Sequence, residues 1–450
     1  MTGATPTTAV ATDAAGPFRG QSAMAVPAFR RLWIAGIVSD AGDWLMFIAL
    51  PLVVLRLTGS ALGTSFAFLL ELAPPVLLAP LAARLVDRLP RREVMVVAAL
   101  AQAASLLPLL AVDDAADLPL IYGVIVAQAT FATIFEPAKN ALLPTLVGAE
   151  RALSANALVG LNNDLGRLVG GPLGGVLLAV AGLGGVALVD VATYLIAAAL
   201  VVTLPRGPAA RTAASGHPSP SSPGGVLRAL TTPATCAPIA VAFVASIAQG
   251  LFVVLFVFFV TDVIGGDATD VGVLRGVQAI GAIAAGVILG ALGARLHILR
   301  LTLLGAAAFA AITTLAWNLS YASHDVVLYG MLFAAIGAPA VLMTAGLTSL
   351  LQQASPEDRR GSTFAALGLG QAAGQGIGLV TAGALQGVVG TLPLLEVQAA
   401  TYLTAALLAL VLLPRTTRQR NDAQGDGMGD GMGAAPTQSN GKAAPRRTGP

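Results

Sequence analysis

Residues 237–261 read APIAVAFVASIAQGLFVVLFVFFVT and carry no charged side chain. A helix needs about 20 such residues to cross the hydrocarbon core of a bilayer. Backbone polar groups in lipid must be satisfied within the segment, which favours a helix over an open strand. This run therefore predicts a membrane-spanning α-helix.

Blocks of the same kind recur along the whole 450-residue chain. Of all residues, 56% are hydrophobic and 11% charged, whereas a soluble domain carries about a quarter charged residues. A β-barrel would show short alternating segments, and the sequence has none. We predict an all-α membrane protein with twelve transmembrane helices, at residues 32–56, 62–85, 93–112, 118–137, 153–180, 184–204, 237–261, 270–292, 298–317, 325–349, 362–388 and 394–413.

The charges are distributed unevenly between the loops. Basic residues, such as Arg88 and Arg359, concentrate in the two tails and in the loops after even-numbered spans. The opposite loops carry acidic residues, such as Asp113 and Asp267. Basic residues accumulate on the cytoplasmic side of membrane proteins. The pattern predicts a multi-pass protein of the cell (inner) membrane with both termini in the cytoplasm.

The chain divides into two related halves. A shift of 207 residues carries the loop 57–61 onto 264–268 and residues 83–88 onto 290–295. One offset shared by several loops favours a six-plus-six parallel repeat. The predicted units are a disordered cytoplasmic N-terminal tail (1–28), an N-terminal six-helix bundle (29–204), a Pro- and Gly-rich cytoplasmic linker (205–236), a C-terminal six-helix bundle (237–413) and a disordered cytoplasmic C-terminal tail (414–450).

Two carboxylates stand close together in the first span. Asp40 and Asp43 are three residues apart and share one helix face. A charge at the membrane centre costs roughly 2.5–3.5 kcal/mol on insertion scales, so each requires a reason. Two carboxylates in a low-dielectric cavity hold a proton more tightly than either alone. We predict proton coupling or substrate contact here; alternatively, Asp43 only bonds to neighbouring helices and Asp40 lies nearer the cytoplasmic rim.

Other charges within spans allow both functional and structural interpretations. Asp164 and Arg167 are three residues apart and form a pair that either lines the cavity or only lowers the insertion cost. Glu71 and Asp190 are single carboxylates, either functional or locked to an Arg or backbone partner. Arg275 stands near an outer helix end, where we expect it to snorkel towards the membrane surface.

The loop after the second span resembles a signature of the major facilitator superfamily, Gly-x-x-x-Asp-Arg-x-Gly-Arg-Arg/Lys. The matching residues are Asp87, Arg88, Arg91 and Arg92, while Ala83 and Pro90 replace the two glycines. The related loop after the eighth span keeps Gly290 and Arg295 but has Ala294 in the aspartate position.

The resemblance implies two pseudo-symmetric six-helix bundles and a role for this loop in gating. Asp87 would dock near Gly361 and Ser362, at the positively charged N-terminus of the eleventh span. The arginines would form a latch that closes the cytoplasmic side. A purely topological role would explain the arginines but not Asp87.

Further stretches resemble the drug:proton antiporter branch that contains macrolide-efflux and siderophore-export proteins. They are FRRLW at 29–33, GDW at 42–44, EPA at 136–138, ALLP at 141–144 and NAL at 156–158. The fifth span resembles the exporters' glycine-proline motif, with Arg167 at an expected glycine and one residue missing after the proline. Its residues are Gly170, Gly171, Pro172, Gly174 and Gly175, preceded by Gly166.

Glycines at positions 166, 170 and 174 share a face that lets another helix approach closely. The face either serves packing alone or, as the resemblance to exporters implies, limits leak through the cavity.

The sequence lacks the residue patterns that several other classes of function require. The two lysines, Lys139 and Lys442, belong to no phosphate-binding loop, which disfavours an ATP-driven pump. The three histidines show no ligand spacing, so no metal site is expected. We expect no enzyme activity, no cofactor beyond a proton gradient and no nucleic-acid partner.

The sequence as a whole favours a secondary transporter that works as a monomer in the lipid bilayer. We expect alternating access and proton-coupled efflux of amphipathic or hydrophobic small molecules, such as drugs or secondary metabolites. An importer, a lipid flippase and a non-transporting receptor or scaffold on the same fold remain as alternatives.

Overall fold

The computed structural model describes residues 22–206, 223–292 and 297–429, which contain helices and no strand. The all-α prediction is thereby confirmed. The helices are α1 (Pro27–Thr58), α2 (Ala61–Arg88), α3 (Arg91–Leu106), α4 (Leu118–Val147), α5 (Ala152–Val202), α6 (Pro223–Thr231), α7 (Pro233–Phe258), α8 (Ala268–Leu292), α9 (Ile298–Leu319), α10 (Val326–Ala354), α11 (Arg360–Val389) and α12 (Thr391–Gly429).

Helix α5 contains two membrane crossings. It has 51 residues, which as a straight helix would measure about 77 Å, against a hydrocarbon core of about 30 Å. Gly182 interrupts it with φ 64° and ψ −171°, a conformation that a residue with a Cβ rarely adopts. In the described part of the chain, eleven helices are long and apolar enough to cross a membrane. With α5 counted twice, the crossings number twelve, as predicted.

Helix α4 is longer than the sequence suggested. It continues to Val147, so Lys139 lies inside the helix and is only 4% exposed, rather than in a loop. Lys139 donates to Glu136 one turn earlier, with 2.5 Å between Nζ and Oε1. This pairing compensates the buried ammonium charge. The predicted fourth span, 118–137, therefore ended too early and left Lys139 outside it.

Helical structure also occurs in segments predicted to be linker or tail. Helix α6 lies within the predicted linker, and its Val226 and Ala229 pack against the core of the C-terminal half. A 3-10 turn at Ala23–Ala25 precedes α1. Helix α12 continues to Gly429, beyond the predicted end of the twelfth span at residue 413. The remaining tail and linker residues, 1–21, 207–222 and 430–450, lie outside the described residues.

The twelve crossings form an N-terminal bundle (α1–α5) and a C-terminal bundle (α7–α12). We call the end where α1 begins and α12 leaves the terminal face, and the opposite end, near Gly59 and Gly390, the distal face. One hydrophobic core joins both bundles towards the distal face and includes Val54 and Phe256. Towards the terminal face each bundle has a core of its own.

The bundles touch along two close helix crossings near the distal face. At the α5–α8 crossing, a methyl group on Gly175 would lie 2.2 Å from the Ala268 carbonyl oxygen. At the α2–α11 crossing, a methyl group on Gly383 would lie 2.5 Å from Ser65 Oγ. Further towards the terminal face, a methyl group on Gly290 would meet nothing within 4 Å. The space between the bundles is therefore closed at the distal face and widens towards the terminal face.

Candidate functional site

The N-terminal bundle contains a cavity of about 200 Å³ lined by three carboxylates. Asp43 comes from α1, Glu71 from α2 and Asp190 from α5 after Gly182. Asp43 and Glu71 have exposed side chains although both stand in the middle of spans, because their accessible surface faces the cavity. The structure thus brings together three of the predicted site residues, which the sequence analysis had treated singly or paired differently.

A hydrogen-bond network holds Asp43. The Tyr194 hydroxyl donates to Asp43 Oδ1. It accepts from Gln102 Nε2 at 3.1 Å and lies 3.1 Å from Gln128 Oε1. These three partners were missed in the sequence analysis. One signal was present, since Tyr194 follows Asp190 by four residues and therefore shares its helix face.

Asp190 is fully buried against α1. Thr193 Oγ1 donates to its Oδ1 at 2.8 Å, and Oδ2 has no hydrogen-bond partner in the described part of the chain. A methyl group on Gly42 would lie 2.0 Å from Asp190 Oδ1, so a larger residue there would displace this buried carboxylate. In the described ranges no Lys or Arg forms an ion pair with any of the three cavity carboxylates. The alternative of a carboxylate locked to an arginine therefore does not apply to them.

A second cavity, of about 440 Å³, lies mainly in the C-terminal bundle. Asp164 and Arg167 of α5 reach it from the other bundle and form an ion pair, with 2.7 Å between Oδ1 and Nη2. Aromatic and amide side chains provide most of its other large or polar lining: Phe252, Phe309, Trp317, Tyr402, Gln249, Gln278 and Gln398.

Arg275 lines this second cavity and does not snorkel. It is the eighth residue of α8 and only 6% exposed, because its helix face is turned towards the neighbouring bundle. Its guanidinium carbon lies 4.8 Å from the Phe252 ring and 5.8 Å from the Trp44 ring, within cation–π range. Its Nη1 donates to Gln278 Oε1 at 3.3 Å. The expectation of a membrane-surface arginine was wrong.

The first glycine face of α5 packs against α1. A methyl group on Gly166 would lie 2.7 Å from Asp40 Cβ, and one on Gly170 would lie 2.2 Å from the Ala41 carbonyl oxygen. Gly174 meets α1 in the same way, one turn further along. Asp40 therefore lies at a helix crossing and lines neither of the two cavities described above.

The remaining residues of the motif face the other bundle. Gly171 and Gly175 pack against α8, and a methyl group on Gly276 would lie 2.6 Å from Pro172 Cδ. One short segment of α5 thus builds both an interface within its bundle and the distal contact between bundles. The sequence analysis identified the first of these faces and missed the second.

The predicted gating loop lies at the terminal face. Asp87 and Arg88 are exposed, while Arg91 and Arg92 are half-buried. Arg91 Nη1 donates to the Ala141 carbonyl oxygen at 2.8 Å and so ties the start of α3 to α4. Of the related loop, residues 294 and 295 lie outside the described residues. Docking of Asp87 on α11 stays a prediction.

Two six-helix bundles that meet at one face and hold deep polar cavities define a helical membrane transporter. The family model of the Major Facilitator Superfamily matches residues 32–378, with a further match at 238–440. The chain belongs to this superfamily and is a secondary transporter. The family and its fold are non-enzymatic.

Known proteins resemble the chain at low identity. It is 26% identical over 170 residues to the uncharacterized MFS-type transporter YfiS of Bacillus subtilis (strain 168). This match covers 38% of the chain and 40% of that relative, about two-fifths of its length.

Solved structures share the fold over most of the chain. A bacterial homologue of the iron transporter ferroportin, inward-facing, is 18% identical, with a TM-score of 0.66 over 85% of this chain and 98% of that one. A mutant of the nucleoside transporter NupG is 14% identical, with a TM-score of 0.63 over 86% and 99%. At these identities the likeness shows the fold and leaves the cargo open.

Proposed function

We propose that the protein is a proton-coupled exporter of amphipathic or hydrophobic small molecules, such as drugs or secondary metabolites, working by alternating access. The observation that carries this proposal is the cluster of Asp43, Glu71 and Asp190 around one cavity, none of which forms an ion pair with a Lys or Arg in the described part of the chain. The larger cavity next to it provides the room for a substrate.

The carboxylate cavity suits a group that gains and loses a proton. An ionised carboxylate in an apolar cavity is costly, and a proton removes that cost. The Tyr194 hydroxyl can donate to an ionised Asp43 and accept from a protonated one. Asp43 also has accessible surface in the cavity, through which a proton can enter and leave. We assign Asp43 the coupling role, with Glu71 and Asp190 as neighbours that share the proton.

The shape of the space between the bundles supports alternating access. Positive-inside topology would put the terminal face in the cytoplasm of a cell (inner) membrane protein. Substrate would then enter from the cytoplasm. It would leave once the α5–α8 and α2–α11 helix crossings at the distal face have separated. Asp87 and the arginines of its loop would close the terminal face in that second state.

Each chain contains both bundles and both cavities, which supports function as a monomer in the lipid bilayer. The proposed partners are a small-molecule substrate and protons. The proton gradient takes the place of a cofactor as the source of energy.

The test is drug-dependent proton movement in proteoliposomes, screened with lipophilic drugs. Wild type is compared with Asp43→Asn and with Asp113→Asn, a control that removes one exposed carboxylate between α3 and α4. Loss of flux in Asp43→Asn alone would support the proposal. Equal flux in all three proteins would remove Asp43 from the coupling path. Drug transport driven by an imposed drug gradient, without accompanying proton movement, would overturn proton coupling.

A further inference from the structure

We infer that the larger cavity binds amphipathic organic anions, compounds with one carboxylate or a similar oxyanion beside an aromatic body. The inference rests on the proposed function and specifies its substrate class. It follows from the charges, the unsatisfied donors and the aromatic walls of this cavity.

The cavity has one uncompensated positive charge. Asp164 and Arg167 neutralise each other through their ion pair. Arg275 is buried and makes no ion pair within the residues described, and Arg167, a charge of the same sign, lies near the same Trp44 ring. Aromatic rings stabilise a guanidinium in part, but a buried charge is best compensated by an opposite one. A monovalent anion would supply that charge.

Several hydrogen-bond donors around the cavity have no acceptor among the residues that the structure describes. Gln278 is 5% exposed; its Oε1 accepts from Arg275, and its Nε2 has no partner. Thr313 is 1% exposed and its Oγ1 also has no partner. Arg167 Nε is a third such donor. Buried donors without acceptors are rare in folded proteins, and a carboxylate offers two oxygens with about four acceptor positions.

The rest of the lining suits an aromatic body. Trp317 Nε1 donates to Gln398 at 2.8 Å and the Tyr402 hydroxyl donates to Gln249 at 3.1 Å, so these polar atoms are already satisfied. Their rings, with those of Phe252 and others, leave apolar surface around the polar centre. The volume of about 440 Å³ falls within the roughly 300–1,000 Å³ of small-molecule sites.

A cationic substrate is disfavoured at this site. The carboxylates that form no ion pair within the described ranges, Asp43, Glu71 and Asp190, line the other cavity. Here the one lining carboxylate is Asp164, which is occupied by Arg167. An organic cation or a metal ion would therefore meet Arg275 without a free carboxylate to offset it.

The test measures equilibrium binding to the purified full-length protein at fixed pH, without a proton gradient. The probes share one ring system and differ in charge: 2-naphthoate, neutral 2-naphthamide and 2-naphthylmethylammonium. We expect naphthoate to bind at least tenfold more tightly than the other two. Arg275→Gln should remove this preference, whereas the control Arg56→Gln, an exposed arginine at the end of α1, should keep it.

A second variant guards against misfolding. Gln278→Glu places a carboxylate where Gln278 already contacts Arg275, so it should act as a built-in counter-ion. We expect it to weaken naphthoate binding at least tenfold while raising the melting temperature. Equal binding of the three probes, no binding of any, or naphthoate binding unchanged in both variants would overturn the inference. Asp43→Asn separates the two proposals, because it should lose proton flux and still bind naphthoate.

Discussion

Replacing Gly175 by alanine should weaken the distal contact between the bundles. The new methyl carbon would lie 2.2 Å from the Ala268 carbonyl oxygen, whereas ordinary van der Waals contact begins near 3.4 Å. The obstacle is backbone, so α8 must retreat by about 1.2 Å or the contact must open. Overpacking of this kind costs about 1–3 kcal/mol. The strain exists only while the bundles touch at the distal face. It therefore raises the ratio of protein that is open at the distal face to protein that is closed there by about 5- to 150-fold.

The assay is the distance between spin labels at the distal face of the two bundles, at Asp113→Cys and Asp262→Cys in a Cys236→Ser background. Gly175→Ala should add a longer distance to the distribution. The matched control is Gly123→Ala in α4, where a methyl group meets nothing within 4 Å and should stabilise the helix by about 0.5–1 kcal/mol. Identical distance distributions in both variants would refute the reasoning from steric contact.

Two further perturbations test the polar contacts of the cavities. Tyr194→Phe removes the hydroxyl that donates to Asp43, a charge-assisted hydrogen bond worth about 1.5–3 kcal/mol. The variant should show reduced drug-dependent proton flux in proteoliposomes. Flux at the wild-type level in this variant would show that Asp43 needs no such donor. Trp317→Phe leaves the buried Gln398 Oε1 without its donor and should lower the free energy of unfolding by about 1–3 kcal/mol, measured by thermal unfolding. Trp33→Phe removes a hydrogen bond to the Leu158 carbonyl oxygen and offers a comparison in the other bundle. An unchanged melting temperature in Trp317→Phe would mean that water replaces the lost donor.

The membrane crossings were predictable because hydropathy and length act locally. Even the break inside α5 falls at Gly182, between the two spans expected from the sequence. The partners of the charged residues were not predictable in this way. Asp43 bonds to Tyr194, 151 residues away, and such a pair depends on how helices from distant parts of the chain pack.

The two errors about cations have one physical origin. Arg275 was judged by its distance from a helix end, and Lys139 by its position just beyond the predicted fourth span, 118–137. In the structure, the first is surrounded by rings from both bundles and the second is paired with Glu136. The depth and solvation of a charged side chain in a helix bundle depend on the neighbouring helices. They cannot be predicted from the sequence of one segment alone. Asp40 and Asp43 show the same limit, because one meets the glycine face of α5 and the other a cavity.

The position of Trp44 gives this transporter an optical sensor of its own motion. Its ring lies 5.6 Å from the Arg167 guanidinium, in the same bundle, and 5.8 Å from that of Arg275, in the other. Trp33 and Trp317 each bond within their own bundle. When the bundles rock, the distance between the Trp44 ring and the Arg275 guanidinium changes. Indole emission responds to such a change, so the working cycle can be followed by fluorescence without any attached dye.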